Sequence, residues 1–391
     1  THMSILPAFT TMDVYRKKRE YCNRMNATSK KRLSELVEQA MEIREPNRTD
    51  LAWLLTTPDL DTLEIVSAVG QVRKKFFGTR VKMNFLLNIQ SGLCPEDCNY
   101  CSQARGSEAP IPKYSMVEKS TFCDAATMAR DVGATRLCLV ASGRGPNDRE
   151  IRKVAEGVEA VKKIDPSLEI CACLGLLREG QTEQLQEAGV FAYNHNLNTS
   201  ENFYGDICST HTFSDRKKTV ELAKEEGLSP CSGALFGMGE TNEDILDTCY
   251  ALKGLNPDSV PINFLIPITG TPLSSLNELT PQKCLRILSV FRVMFPDREV
   301  RIAGGREVHL RAMQPLGLHL ANSIFIGDYL TTKGQSIETD LEMIKDAGFE
   351  IEGGGPQKQQ SWISESWEFG LPNGKVFFFF PHDGLRDPDL V

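Results

Sequence analysis

MNFLLNIQSGLCPEDCNYCSQ, Met83 to Gln103, decides how this chain is read. Its first seven residues form a short apolar run suited to a buried strand. Three cysteines follow, Cys94, Cys98 and Cys101, spaced by three and then two residues, with Tyr100 directly before the last. Thiolates at that spacing on one loop converge on a single soft-metal centre and leave one coordination position open. An iron–sulfur cluster held in this way keeps one iron free for a small molecule. The alternatives are a structural zinc site, a disulfide or ordinary packing. Zinc takes a fourth Cys or His, and the next cysteine along the chain, Cys123, is remote in sequence, so the spacing favours the cluster.

Outward from this loop, short apolar or β-branched runs alternate with amphipathic stretches. The strand candidates are MNFLLNI, RLCLVA, EICACLG, VFAYNHNL, SPCSGALFGMG, VPINFLI, VRIAGG and NSIFIG. Helices are expected between them, near Ser120–Asp131, Arg149–Ile164, Thr182–Ala188, Ser214–Glu226, Glu243–Leu252, Pro281–Phe295 and Glu307–Leu316. Such alternation implies parallel strands with crossover helices, and about eight of them close a (β/α)8 TIM-type barrel in the α/β class. An open doubly wound sheet is the competing arrangement, but no glycine-rich dinucleotide fingerprint follows the first strand.

Upstream, residues 29–78 read as helical in two stretches separated by Pro46 and Asn47, an N-terminal helical layer across one end of the barrel. Downstream, a helix near Ile337–Ala347 seals the barrel and Gly353–Gly355 punctuates its end. SWISESWEF and KVFFFF then flank Leu371-Pro372-Asn373-Gly374, a hairpin signal. This tail reads as a strand pair packed on the body or on a partner subunit. The expected units are 1–78 (Thr1 and His2 being a cloning remnant), a barrel over 79–349, and a C-terminal extension over 350–391.

With 391 residues, 41% hydrophobic and 25% charged, the composition is that of a soluble globular protein. A net charge of −8 argues against nucleic-acid binding, and no apolar run suits a membrane span or secretory signal. A cytoplasmic location is expected. Twelve cysteines are too sparse for a disulfide scaffold and point to metal or redox chemistry.

Chemistry in a parallel barrel gathers where strands end and βα loops begin. Cys138, Cys171, Cys173 and Cys231 all fall in expected strands, and Cys171 and Cys173 share a face. If Cys138, Cys171 and Cys231 point inward they surround a second cluster; as small hydrophobes they would simply fill the core. Asn194, Asn196 and Asn198 alternate along one strand and Asn263 sits in an apolar one, so these amides need either a polar ligand or a structural network. Arg301 in VRIAGG is costly unless paired or bound to an anionic centre. Arg306-Glu307 reads as a surface ion pair, and the run Gly237–Glu240 as a loop that a ligand could approach.

Taken together, these motifs identify a resemblance. CPEDCNYC resembles the signature of the radical S-adenosylmethionine (SAM) enzymes, and SGLCPEDCNYCSQ resembles the biotin synthase family in particular. RLCLVASGRGP, EICACLGLL, YNHNLNTS, YGDI, CSGALFGMGE, SVPINFLIPITGTPL, VRIAGGRE and ANSIFIGDYLTT extend it over about Met83 to Phe349, in order. The resemblance implies that Cys94, Cys98 and Cys101 hold a [4Fe–4S] cluster whose open iron chelates SAM. It implies that Cys138, Cys171, Cys231 and Arg301 hold an auxiliary cluster, [2Fe–2S] by family. Asn194, Asn196 and Asn263 match positions around dethiobiotin and the nucleoside, Arg216 one near the methionyl carboxylate, and Ala141 one lining the SAM pocket. Asn198 stands where the best-known members carry an aspartate against the ribose. Cys173 is an additional thiol, either a packing residue or a further ligand suited to a four-iron auxiliary cluster.

The implied reaction is reductive cleavage of SAM to a 5′-deoxyadenosyl radical, hydrogen abstraction from the carbons flanking the ureido ring of dethiobiotin, and closure of the biotin thiophane ring with cluster sulfur. A flavodoxin or ferredoxin type donor and a homodimer are the implied partners. Competing readings are another radical SAM barrel, such as a hydrogenase-maturation or methylornithine-forming enzyme, and a non-catalytic iron–sulfur carrier or redox sensor.

Overall fold

A computed structural model of the chain describes residues 27–58, 60–355, 367–370 and 376–379. Thr1, His2 and the expected turn at Leu371–Gly374 lie outside the described residues. The central strands are β1 Arg80–Gln90, β2 Arg136–Ala141, β3 Glu169–Cys173, β4 Ala192–Asn194, β5 Ser229–Cys231, β6 Ala234–Phe236, β7 Ser259–Phe264, β8 Glu299–Ile302 and β9 Ser323–Phe325. All pair in parallel, in the order β1-β2-β3-β4-β5-β7-β8-β9, and β9 closes back on β1. With β5 and β6 as two halves of one staff, this is the closed eight-stranded barrel that the alternation implies.

The fifth staff departs from a single strand for a steric reason. After Cys231 the chain breaks at Ser232-Gly233, and β6 pairs with β7 instead. A Cβ on Gly233 would lie 1.8 Å from the Pro261 carbonyl oxygen, so only glycine permits this approach.

The helices are α1 (27–41), α2 Arg48–Thr56, α3 Thr62–Phe77, α4 Lys119–Asp131, α5 Asp148–Ile164, α6 Gln181–Glu187, α7 Glu201–Ile207, α8 Phe213–Glu225, α9 Asn242–Leu255, α10 Pro281–Met294, α11 Arg306–Leu310, α12 Gln314–Leu318 and α13 Ile337–Asp346. Several start where a side chain satisfies the orphan amides of the first turn. Capping boxes join Asp61 with Glu64, Asn147 with Glu150, Thr212 with Asp215 and Thr241 with Asp244. Among the described residues, no helix is long and apolar enough to cross a membrane.

The N-terminal region is three helices rather than two. Pro58 follows Thr57, whose ψ of 129° is the extended geometry that proline demands of its predecessor, and the helix ends there. α2 and α3 pack on α10, which is therefore buried on nearly every face. At the N-terminal ends of β1 and β9, Arg73 donates to the carbonyls of Gly78, Arg80 and Ala321, tying α3 to that end of the barrel.

α7 was not expected; Ser200 initiates it by accepting from the Phe203 amide. The expected helix Glu307–Leu316 is instead α11 and α12, interrupted at Arg311, whose φ is 52°. Arg306 is not a surface residue: it is 1% exposed and pairs with the fully buried Asp340 at 2.8 Å. A short strand β10 Glu350–Ile351 extends the sheet beside β1. In the tail, β11 Trp367–Gly370 and β12 Val376–Phe379 pair antiparallel, Trp367 opposite Phe379.

Candidate active site

A cavity of about 360 Å³ opens at the C-terminal ends of the strands. Its walls bring together residues far apart in sequence: Cys94, Cys98 and Cys101 from the β1–α4 loop, Ala141 at the end of β2, and Cys173 at the end of β3. Asn194 of β4, Asn196 and Asn198 beyond it, Asn263 of β7 and Arg216 of α8 complete the set. The cysteine loop is wound into turns by its own backbone, Cys101 N donating to Cys98 O at 3.0 Å and Ala104 N to Cys101 O at 3.1 Å. The Gln103 side chain accepts from Gly92 N at 3.1 Å and pins the loop's start.

Burial pushes the Cys94 thiol up, and the Cys101 thiol up to about 11. Opposite them stands Arg216. It donates to the Tyr204 hydroxyl, to His211 Nε2 at 3.1 Å and to the Asn196 carbonyl at 2.8 Å. Among the described residues no carboxylate pairs with it, so a buried cation faces a cavity with three thiols on its wall. That combination suits an anionic ligand together with a soft-metal group. His195 Nε2, also beside the cavity, is buried without a partner.

The amides form a partly satisfied network. Asn194 Nδ2 donates to Asn196 Oδ1 at 3.0 Å, and Asn196 Oδ1 also accepts from Gly233 N at 3.1 Å. Asn263 donates to Ala234 O at 3.2 Å and accepts from Gly304 N at 3.0 Å. Asn198, at φ 72°, donates to the Tyr100 hydroxyl at 2.7 Å, joining β4's extension to the cysteine loop. The Gly237–Glu240 loop closes on itself: the Glu240 carboxylate accepts the amides of Gly237 and Met238, each at 2.7 Å.

Beneath the cavity lies a layer of buried thiols. Cys138 and Cys171 are register partners on β2 and β3, and Cys171 hydrogen-bonds to both Cys138 and Cys231. Asn194 links the two levels, its Nδ2 lying 3.2 Å from Cys231 Sγ. Arg301 is buried in the same layer, donating to Ser323 and Ser259 at 3.2 and 3.1 Å and paired with Glu299. Arg136 lies 3.2 Å from Glu299 and 2.7 Å from Glu169, and Lys82 lies 2.6 Å from Glu169.

Lys82, Arg136 and Arg301 outnumber Glu169 and Glu299, leaving one net positive charge under three thiols. The Cys171 hydrogen bond and then the Arg301 and Arg136 charges bring Cys231 down to about 6, against the opposing effect of burial, and lower Cys138 likewise. Cys171, hydrogen-bonded to both neighbours and buried, is raised. The donor chemistry fits an iron–sulfur group bound as thiolates. Cys173 differs: it stands beside Val140 one level nearer the cavity, and burial pushes its thiol up to about 12.

Two sets of residues escaped the sequence reading. The ion network of Lys82, Arg136, Glu169 and Glu299 sits at strand starts and resembles ordinary surface charge in sequence. The second set corrects the inference that no further ligand lies near the cysteine loop. Cys208, the residue after α7, approaches Cys98 with Sγ atoms 3.7 Å apart, and His211 follows it. The Cys98 hydrogen bond, with further bonds from His211 and Thr210, brings Cys208 down to about 4 and correspondingly raises Cys98. Only the run Cys208-Ser209-Thr210-His211 could have signalled this, and its partner is 110 residues upstream in sequence.

Comparison with known proteins agrees with this geometry. Residues 89–251 match the radical SAM superfamily, and residues 261–350 match the biotin and thiamin synthesis associated domain. A biotin synthase of Streptomyces avermitilis is 57% identical over 321 residues, 82% of this chain and 83% of that protein. One of Bacillus licheniformis is 50% identical over 318 residues, covering 81% and 95%. Among solved structures, methylornithine synthase superimposes with a TM-score of 0.71 at 22% identity, covering 81% of this chain and 97% of that one. That last likeness reports the barrel alone; identity at the level of the two biotin synthases reports the family. The chain belongs to the biotin synthase family of radical SAM enzymes.

Proposed function

We propose that this chain converts dethiobiotin to biotin. The observation that carries the reading is the stacking of two thiol sets along one barrel axis, Cys94, Cys98 and Cys101 on the cavity wall and Cys138, Cys171 and Cys231 below it, joined through Asn194. When bound, the [4Fe–4S] and auxiliary clusters supply the electron that cleaves SAM to a 5′-deoxyadenosyl radical and the sulfur that enters the product.

The chain's own residues bind, orient and exclude water. Cys94, Cys98 and Cys101 hold the first cluster. Arg216, a buried cation with no ion pair among the described residues, takes the methionyl carboxylate, and its bonds to Tyr204 and Asn196 fix its direction. Ala141 forms a small wall of the SAM pocket, and Asn196 and Asn198 offer amides to the nucleoside. Asn194 and Asn263 face the dethiobiotin ureido group, their backbone bonds holding the amides in place. Cys138, Cys171, Cys231 and Arg301 hold the auxiliary cluster, and the net positive charge beneath favours bound thiolates. The cavity at the barrel mouth, filled by SAM and dethiobiotin, would limit the access of water to a reactive carbon radical.

A [2Fe–2S] auxiliary cluster with Cys173 as a wall residue is supported by position: Cys173 pairs with Val140, nearer the cavity than the Cys138–Cys171 pair, and lines the cavity. A four-iron cluster is the second reading; it draws on Cys173 sharing a strand face with Cys171. The same proposal carries a low-potential flavodoxin or ferredoxin type donor, a homodimer and a cytoplasmic location. It also carries a division into 1–78, a barrel over 79–349 and an extension over 350–391. Anaerobic incubation of the reconstituted protein with dethiobiotin, SAM and reductant should give biotin and 5′-deoxyadenosine. SAM cleavage that ignores dethiobiotin would overturn the proposal.

A further inference from the structure

Three side chains beside the first thiol set form a second donor group of different composition. Cys98, Cys208 and His211 are 8%, 5% and 7% exposed, and one ligand atom from each lies within 4.8 Å of the other two. The Sγ atoms of Cys98 and Cys208 are 3.7 Å apart, and Cys208 Sγ lies 3.3 and 3.9 Å from the two ring nitrogens of His211. Tetrahedral zinc, with Zn–S of about 2.3 Å and Zn–N of about 2.0–2.1 Å, places sulfurs about 3.8 Å apart and sulfur and nitrogen about 3.6 Å apart. The Cys98–Cys208 separation of 3.7 Å matches the first edge, and the Cys208–Nε2 separation of 3.9 Å is close to the second. An S–H···S hydrogen bond alone would account for the first distance, but not for His211 converging on the same point.

We infer that, in the cluster-free chain, Cys98, Cys208 and His211 bind a single borderline-soft divalent cation such as Zn2+ or Fe2+, whose occupancy excludes a cluster at Cys98. The residues around the trio supply the remaining requirements of a metal site. Glu96 accepts from His211 Nδ1, which fixes the tautomer and leaves the Nε2 lone pair for a metal, the carboxylate–histidine arrangement common around bound metals. Arg216 Nε donates to that nitrogen at 3.1 Å and has to give up this bond to a metal, its other partners being the Tyr204 hydroxyl and the Asn196 carbonyl. Water supplies the fourth position, and Asp97 Oδ1, 3.3 Å from Cys208 Sγ, lies beside the trio. The same carboxylate accepts from the amides of Ser209 and Thr210 at 2.9 and 3.2 Å, clamping the segment that carries Cys208 and His211 against the cysteine loop. Binding displaces to solvent the thiol proton that Cys98 donates to Cys208 and involves no change of oxidation state.

The exclusion of a cluster rests on the assignment of Cys98 under the proposed function; binding of the cation does not. The test uses the full chain, stripped of clusters under anaerobic conditions and titrated with Co2+ as a visible probe. A tetrahedral thiolate–cobalt spectrum should develop, be displaced by Zn2+, and disappear in Cys208→Ser and in His211→Gln while surviving in Cys94→Ala. Zinc-edge X-ray absorption of the wild type, which needs no variant to fold, should report two sulfur and two nitrogen or oxygen neighbours. Loss of the cobalt spectrum in Cys94→Ala, its persistence in Cys208→Ser and His211→Gln, or a three-sulfur zinc shell would overturn the inference. Zinc-loaded wild type should also assemble the first cluster more slowly than zinc-free protein, and Cys208→Ser should remove that difference. Equal rates for loaded and zinc-free wild type would refute the exclusion and leave the cluster assignment of Cys94, Cys98 and Cys101 standing.

Discussion

Replacing Glu299 by Gln removes the anion that two guanidinium groups share beneath the thiol layer. Its carboxylate accepts from Arg301 Nε at 3.1 Å and lies 3.2 Å from Arg136 and 4.0 Å from Lys82. With Glu169 alone remaining, the local excess of positive charge rises from one to two. Removing one partner from a buried pair costs about 3–5 kcal/mol, because the surviving charge stays buried without compensation. Unfolding entropy of about 2.1 cal/mol/K per residue over 391 residues gives about 0.8 kcal/mol/K, so the cluster-free variant should melt about 4–6 °C below wild type. The pH dependence has a definite sign. Burial alone would raise the Glu299 carboxyl, but Arg136, Arg301 and Lys82 outweigh it and hold it below the usual carboxylate range. A depressed folded value means that the stability is present above the unfolded value of about 4.3 and lost as pH falls below it. The gap between wild type and variant should therefore shrink at acid pH. Calorimetry at neutral and acid pH checks both claims. Equal midpoints at neutral pH, or a gap that widens in acid, would refute the reasoning.

Other perturbations read different parts of the site. Arg216→Gln removes a charged hydrogen-bond donor, worth about 1.5–3 kcal/mol, and should weaken SAM binding by about 10–150-fold in a calorimetric titration; unchanged affinity would remove Arg216 from the SAM pocket. Cys173→Ala should leave the Mössbauer signal of the auxiliary cluster unaltered, whereas a changed signal would make Cys173 a ligand. Gly233→Ala drives a methyl into the Pro261 carbonyl and should abolish folding of the β5–β6 staff, seen as loss of soluble protein; a wild-type melting curve would contradict the steric account.

The barrel was legible because parallel strands buried on both faces read as apolar runs, and the runs around Cys138, Cys171 and Arg301 did so without ambiguity. What escaped were features set by contact rather than period. The break at Gly233 follows from the approach of Pro261, and the interruption at Arg311 from a backbone conformation that periodicity does not encode. α7 is a short helix whose composition carries little signal. In the site, thiols and amides declared themselves by being misplaced in apolar strands. Arg136 and Glu299 did not, since charges at strand ends are ordinary until the barrel closes them together. The same holds for Cys208 and His211, whose meaning depends on Cys98 arriving across the fold.

The central claim is that the cavity above Cys231 directs a carbon radical onto dethiobiotin. Dethiobiotin deuterated at the methyl and methylene carbons flanking the ureido ring, incubated anaerobically with reconstituted protein, SAM and reductant, tests it most directly by mass spectrometry of the 5′-deoxyadenosine. The account predicts deuterium in the nucleoside's 5′ position together with biotin; unlabelled 5′-deoxyadenosine would contradict it.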